Sequence, residues 1–398
     1  MDLTTLPASS LDGVLSAAGT ALRRYARADS GHATDGTHDA GPALLAALTA
    51  QAGLEETELT RRVLERWLST QPDGAPHQVG AFGGLAGLFA GLRAAGPLQP
   101  PLRPLARLVA ESLAAWSSSG ALRLDRVGWI DYDLINGPAG VVLCLAGTEH
   151  TAQSLPAARH LAALCDRPDL HRLRLHEAID PRSAWNVGRI NTGLGHGVAG
   201  VAAALRAAAE TATTRPEDFT APLRHVCDWL VAQSYVDDQG LTTWPPAGLD
   251  GTPPSRRPTR RQAWCYGTPG IAWTLWDAGR VLADETLTGF ARQAMQSFCE
   301  AFDEHRHLDP DPVDAALTVC HGAAGTLALA DAFARHASLP AAAALRGRLT
   351  AYLTERLPDV KELAMLDLSV LNGATGIFAA LLSTAATERP WLAQLALR

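Results

Sequence analysis

The chain has 398 residues, 47% hydrophobic and 19% charged, which supplies a large core and excludes global disorder. With 34 Lys+Arg against 41 Asp+Glu the net charge is −7, and no basic cluster or basic–aromatic interleaving points to a nucleic-acid partner. The N-terminus MDLTTLPASS lacks a basic n-region and an apolar h-region, and no apolar run approaches the roughly 20 residues of a membrane helix, so a soluble, cytoplasmic protein is expected.

Residues 9–70 carry three helical patterns, SLDGVLSAAGTALRRYA, GPALLAALTA and EETELTRRVLERWLS, which suit an outer helix and a degenerate repeat unit. From about residue 80 a repeat takes over. Gly-x-x-Gly followed by an apolar run recurs at Gly84–Gly87, Gly137–Gly140, Gly197–Gly200, Gly267–Gly270, Gly322–Gly325 and Gly373–Gly376, at offsets of 53, 60, 70, 55 and 51 residues. Each pair opens an alanine-rich helix, as in GLAGLFAGLRAAG or GAAGTLALADAFARHA. Small residues at such spacing let neighbouring backbones approach and leave helix N-terminal N–H groups unobstructed.

Further along each unit comes an amphipathic helix, such as APLRHVCDWLVAQS or ETLTGFARQAMQSFCEAF, with apolar residues at i, i+3, i+4 and i+7. Apolar helices suit an inner layer and amphipathic ones an outer layer. Helix pairs of this kind stack as an open solenoid or close into a ring. The expectation is an all-α fold, a closed α/α toroid of six to seven helix-pair repeats. One domain then spans 1–398, with degenerate N-terminal helices in 1–80 and repeats from about 80 to 390. The Pro-, Gly- and Arg-rich connector 235–262 leads directly into the fourth glycine pair, as a rim or lid or as a plain flexible connector.

In a helical ring the starts of the inner helices share one face, so the residues preceding each glycine pair are the candidates for chemistry. They include Asp131, Asp133 and Asn136; Arg189, Asn191 and His196; Arg261, Trp264, Cys265 and Tyr266; Cys320 and His321; Asp367 and Asn372. Cys265 and the Cys320–His321 pair flank equivalent glycines, which converges two thiols and an imidazole. Two Cys and one His fit a zinc site with three protein ligands and an open fourth position; the alternative is two buried thiols and a capping histidine. His196 holds the position in its unit that His321 holds in its own. It reads as a general acid or base or as a capping histidine, with Asp133 either tuning it or capping a helix. Arg261 suits a developing oxyanion or an ion pair with an acidic neighbour. Cys144, Cys165, Cys227 and Cys299 lie in helical patterns and read as buried small hydrophobes; His305 and His307 read as part of a solvated loop.

GLGHGVAG at 193–200, WCYGTPG at 264–270 and CHGAAG at 320–325, with YDLINGPAG at 132–140, resemble the motifs of the lanthionine synthetase C-like family of lanthipeptide cyclases. The resemblance covers the chain from about residue 80 onward. It implies an α-toroid with one zinc held by Cys265, Cys320 and His321, and catalytic or site-lining roles for Asp133, His196, Arg261 and Tyr266. The implied reaction is the addition of precursor-peptide cysteine thiols to dehydroalanine or dehydrobutyrine, forming lanthionine or methyllanthionine. The implied partners are a dehydrated precursor peptide and, in a biosynthetic complex, a dehydratase and a peptide transporter that would bring the protein to the membrane. Competing expectations are a non-catalytic zinc scaffold binding glutathione or peptide thiols, a toroid glycosidase with paired carboxylates, and a metal-free helical adaptor.

Overall fold

Where each glycine pair occurs the chain folds back on itself before entering a helix. In the last five pairs the carbonyl three residues ahead of the first glycine comes to lie over the second. A Cβ on Gly270 would stand 2.2 Å from the Trp264 carbonyl oxygen, one on Gly325 2.0 Å from that of Val319, and one on Gly376 2.0 Å from that of Val370. This contact explains why the motif repeats.

The computed structural model describes residues 8–27, 39–54, 56–71, 78–177, 181–211, 215, 217–249, 262–308, 313–386 and 389–398. In chain order its helices are α1 (Ala8–Arg27), α2 (Gly41–Gln51), α3 (Thr57–Ser69), α4 (Leu85–Ala95), α5 (Arg103–Ser118) and α6 (Pro138–Leu145). There follow α7 (Thr151–Leu164), α8 (Val198–Thr211), α9 (Glu217–Gln233), α10 (Thr268–Val281), α11 (Glu285–Ala301) and α12 (Glu304–His307). The last are α13 (Val313–Leu317), α14 (Ala323–His336), α15 (Pro340–Glu355), α16 (Leu357–Leu363) and α17 (Ala374–Ala385). Two short antiparallel ladders, β1 (Ile190–Asn191) with β4 (Ala247–Gly248) and β2 (Tyr235–Val236) with β3 (Thr242–Thr243), tie down the connector before α10.

Helices α2, α4, α6, α8, α10, α14 and α17 form the inner layer, each packed on the next, and α17 returns to α2. The ring is closed. Outer helices α3, α5, α7, α9, α11 and α15 pack on the inner helices that precede them, while α1, first in the chain, lies against α17 and α2. The seventh unit is therefore split between the two ends of the described chain. Inner helices are buried around nearly their whole circumference, as α14 is from Ala323 to Phe333, which explains their all-apolar composition. His307 departs from the expected solvated loop: it ends α12, is buried, and stacks on Phe302 at 5.3 Å between ring centroids.

A belt of hydrogen bonds links the segments that precede the inner helices. Ala81 N–H donates to Leu134 O (3.1 Å), Leu134 N–H to Gly195 O (3.2 Å) and Leu194 N–H to Cys265 O (2.9 Å). Cys265 N–H then donates to Cys320 O (3.4 Å) and Cys320 N–H to Leu371 O (3.0 Å). The first unit has no Gly-x-x-Gly, and there the Asp39 carboxylate takes over, accepting from Val370 N–H (3.0 Å) and Gly41 N–H (2.7 Å). Because these links join the same end of every inner helix, all seven helix N-termini share one face of the ring.

The centre of the ring is filled by the segment after α17. Trp264 Nε1 donates to Leu395 O and Trp273 Nε1 to Ala396 O, both at 2.9 Å, and Gln394 Nε2 reaches Ala81 O. At the far end of the inner helices Arg398 pairs with Asp277 (2.7 Å) and Glu210 (2.9 Å), and Arg389, Arg335 and Arg346 surround Asp331. Cations here also complement the helix C-termini.

Two predictions follow from this packing. Gly325→Ala is expected to lower stability by about 3 kcal/mol, since the new methyl meets backbone it cannot displace. Gly289→Ala, on α11 with nothing within 4 Å of its Cβ, is expected to stabilise by about 0.5 kcal/mol; urea titrations of both variants check the contrast. Burial pushes the Asp39 carboxyl up to about 7, against the opposing N–H donors of Gly41 and Val370, and nearby Asp367 adds to the rise. The raised value means that the folded state holds this proton more tightly than the unfolded chain does, so stability falls as pH rises from about 4 through 7. Since Asp39 keeps some exposure, the loss should be modest, roughly 2–4 °C in Tm. Asp39→Asn, which keeps the acceptor, should remove that slope in thermal melts between pH 5 and 8.

Candidate metal centre

The belt sets the site. The Cys265–Cys320 link holds the backbones of two adjacent units together just before their glycine turns. Gly267 makes its turn with a left-handed φ of 88°, which requires glycine. The side chains that result converge: the Sγ atoms of Cys265 and Cys320 and a ring nitrogen of His321 lie within 4.8 Å of one another. Both cysteines are buried, and His321 is half-buried. The hydrogen bond from the Cys265 thiol holds the Cys320 thiol well below its usual range against the effect of burial, and His321 adds to that lowering. The other four cysteines behave oppositely: burial pushes Cys144 and Cys299 up to about 12 and Cys165 and Cys227 higher still. They are inert core thiols.

The trio fits a zinc ion on two counts. Ligands about 2.0–2.3 Å from a tetrahedral metal lie roughly 3.5–3.8 Å apart, which this cluster reaches with small side-chain movements. Two sulfurs and an imidazole are also a donor set that favours zinc over oxygen-seeking ions.

Beside the trio stands a second group. Leu194 N–H bonds the Cys265 carbonyl, which brings the GLGH turn and His196 against the cysteines. His196 Nδ1–H donates to Asp133 Oδ2 at 2.5 Å. Asp133 is fully buried, and Asn136 fixes it through its N–H (2.7 Å) and its Nδ2 (3.2 Å). Burial by itself would lower the His196 imidazole, but the Asp133 hydrogen bond and charge, with a contribution from Cys320, raise it above its usual value. The side chain of His196 is 23% exposed, so one ring edge reaches solvent while Nδ1 is engaged. Tyr266 follows Cys265 and accepts a hydrogen bond from Asn191 Nδ2 at 2.7 Å; burial pushes its phenol up, partly offset by that bond. It stays a neutral hydroxyl.

Among the residues singled out by sequence, the structure thus gathers Cys265, Cys320, His321, His196, Asp133 and Tyr266. Arg261 lies outside the described residues, as does 250–261 of the connector; the part that is described, 235–249, is pinned to the rim by Thr268 Oγ1 donating to Thr242 O and Thr192 Oγ1 to Pro245 O. Asp131 and Asp367 have structural tasks. Asp131 caps Gly128 N–H (2.7 Å) and pairs with Arg123 (2.8 Å), and Asp367 caps Ser369 N–H (2.6 Å). Sequence reasoning missed Trp129, whose ring stacks on His196 at 4.3 Å and 15°. Its only sequence signal is an aromatic four residues ahead of Asp133.

Comparison with known proteins bears on the family and the fold. The model of the family described as lanthionine synthetase C-like protein matches residues 39–395. Twelve chains of solved structures match. One, titled nisin cyclase, is similar with a TM-score of 0.78 and 17% sequence identity, covering 96% of this chain and 96% of its own. No curated protein sequence matches. From the motif-bearing turns to the closed ring, and with the family match across 39–395, the chain belongs to the lanthionine synthetase C-like family.

Proposed function

We propose that the protein is a zinc-dependent lanthipeptide cyclase, acting as one catalytic unit in the cytoplasm on a dehydrated, cysteine-containing precursor peptide. The observation that carries this reading is the placement of a Cys–Cys–His trio beside an Asp133-bonded His196. Metal ligands and a proton carrier in one place are what a thiol addition needs.

In the reaction a peptide thiol adds across a Cα=Cβ double bond. The S–Cβ bond forms, the π electrons move toward the adjacent carbonyl, and Cα then takes a proton. Atoms balance, so peptide mass is unchanged. Cys265, Cys320 and His321 would hold the zinc, three protein ligands being the count typical of catalytic rather than structural sites. Zinc bound there would supply Lewis acidity, favouring loss to solvent of the proton of a thiol that would otherwise be only a few per cent thiolate at pH 7. His196 is the proton donor to Cα. Asp133 fixes its tautomer by accepting from Nδ1, which leaves Nε2 to face the substrate. Arg261 is assigned to the developing oxyanion, and the neutral Tyr266 hydroxyl to the wall of the site.

No helix among the described residues is long and apolar enough to cross a membrane, so a dehydratase or transporter partner would supply any membrane contact. The test is incubation with a dehydrated peptide carrying free cysteines. Cyclisation makes the thiols unreactive toward a maleimide without changing the peptide mass. Thiol binding with no loss of maleimide reactivity after removal of the protein would instead identify a non-catalytic thiol-binding member of the family.

A further inference from the structure

At the opposite end of the ring from the cysteines, a cavity of about 350 Å³ opens between α2, α4, α6 and the central segment after α17. Leu44, Leu48, Phe89, Leu92 and Trp391 wall it, and it runs from the C-terminal ends of these helices inward to Gln394. We propose that this cavity binds an apolar molecule bearing a carboxylate, of the medium-chain fatty acid class, with its head on Arg93 and its tail along Leu44, Leu48 and Trp391.

Three observations carry the proposal. The first is volume: apolar cavities of about 150 Å³ already take up small apolar molecules. This one is more than twice as large and has room for a chain of roughly ten carbons at interior packing density. The second is an unanswered charge. Arg93, at the end of α4, is half-buried and lines the cavity, yet among the described residues its side chain makes no hydrogen bond or ion pair. Its guanidinium is near enough to Cys144 to lower that thiol against the effect of burial. Most other buried or half-buried arginines at this end of the ring are matched to acids, as Arg206, Arg346 and Arg389 are. A guanidinium held against an apolar wall suits a bidentate carboxylate.

The third is the mouth. Arg103 stands exposed at the opening, its stem near Gly96, and it too makes no ion pair among the described residues. Glu149 also lines the opening, but its carboxylate is largely exposed and points to the His150 imidazole at 3.8 Å. The fixed charges thus favour an anionic head group over a cationic one, and the walls demand an aliphatic tail. The site lies apart from the proposed cyclase centre and stands or falls independently of it.

Calorimetric titration of the full-length protein with sodium decanoate tests the idea, with 1-decanol as the uncharged probe. Saturable one-to-one binding of decanoate is expected. Arg93→Gln should weaken decanoate at least tenfold, the loss of one charge-assisted pair, and leave 1-decanol within about twofold. Leu48→Trp, which fills the cavity, should abolish both; if that variant loses its helical circular dichroism, Ala94→Trp at the mouth carries the same test. No saturable decanoate binding below about 1 mM, or binding indifferent to Arg93→Gln or to the cavity-filling variant, would overturn the proposal.

Discussion

Cys320→Ala protein is expected to purify with less than about a tenth of a zinc per chain, against about one in the wild type, and to lose thiol-consuming activity by at least about a thousandfold. Cys320 stands at the middle of the trio in two senses. Its sulfur is one of the three converging donors, and its backbone receives the Cys265 link on one side and makes the Leu371 link on the other. Removing the side chain leaves the belt intact, because both links are made by backbone atoms. The protein should therefore fold and lose only its metal and the activity that depends on it. A chelator separates the two effects: metal bound to the folded state alone adds stability by mass action. EDTA should then lower the wild-type Tm and leave Cys320→Ala unmoved. Cys227→Ala is the control, since that thiol is buried in α9 away from the site and should keep both zinc and activity. Elemental analysis that finds no zinc in the wild type, or full occupancy in Cys320→Ala, sinks the assignment of ligands.

Much of this site was legible because it is built on a repeat. Cys265 and Cys320–His321 stand before equivalent glycines, so a ring brings them to one face before any distance is known. The inner helices were legible for the same reason: their alanine-rich, uniformly apolar sequences fit only a layer that is buried all round. What was not legible depends on contacts that have no period. The first unit lacks its glycine pair and closes the belt through the Asp39 side chain, so its sequence looked merely degenerate. The central segment was invisible because nothing in the sequence pairs Trp264, singled out only for its place before a glycine pair, or Trp273 with the far end of the chain, where their indole N–H groups bond Leu395 and Ala396. Trp129 belongs to the same class. Its stack on His196 joins two units whose registers the sequence does not relate.

The second large effect is expected at His196. His196→Ala should retain zinc at the wild-type level and lower the rate of cyclisation by about 10²–10⁴, the range general acid catalysis contributes. The expectation rests on a division of labour within one cluster. On the proposed reading, thiol activation belongs to the Cys–Cys–His trio and proton delivery to the Asp133–His196 pair, which shares no donor atom with it. Asp133→Asn should resemble the histidine variant in zinc content and fall less far in rate. It keeps a hydrogen-bonding group near Nδ1 but removes the charge that raises the imidazole. The pH profile then carries a sign. A raised imidazolium survives to higher pH, so the wild-type rate should fall only as pH climbs past that raised value; in Asp133→Asn the same alkaline limb should move to lower pH. A merely structural loss would reduce the rate at every pH without moving the limb. Trp129→Phe, which keeps an aromatic face against the imidazole, should leave the limb in place. A His196→Ala enzyme that holds its zinc and cyclises at the wild-type rate would remove His196 as the acid, and would pass the proton to Tyr266, whose neutral hydroxyl faces the same site.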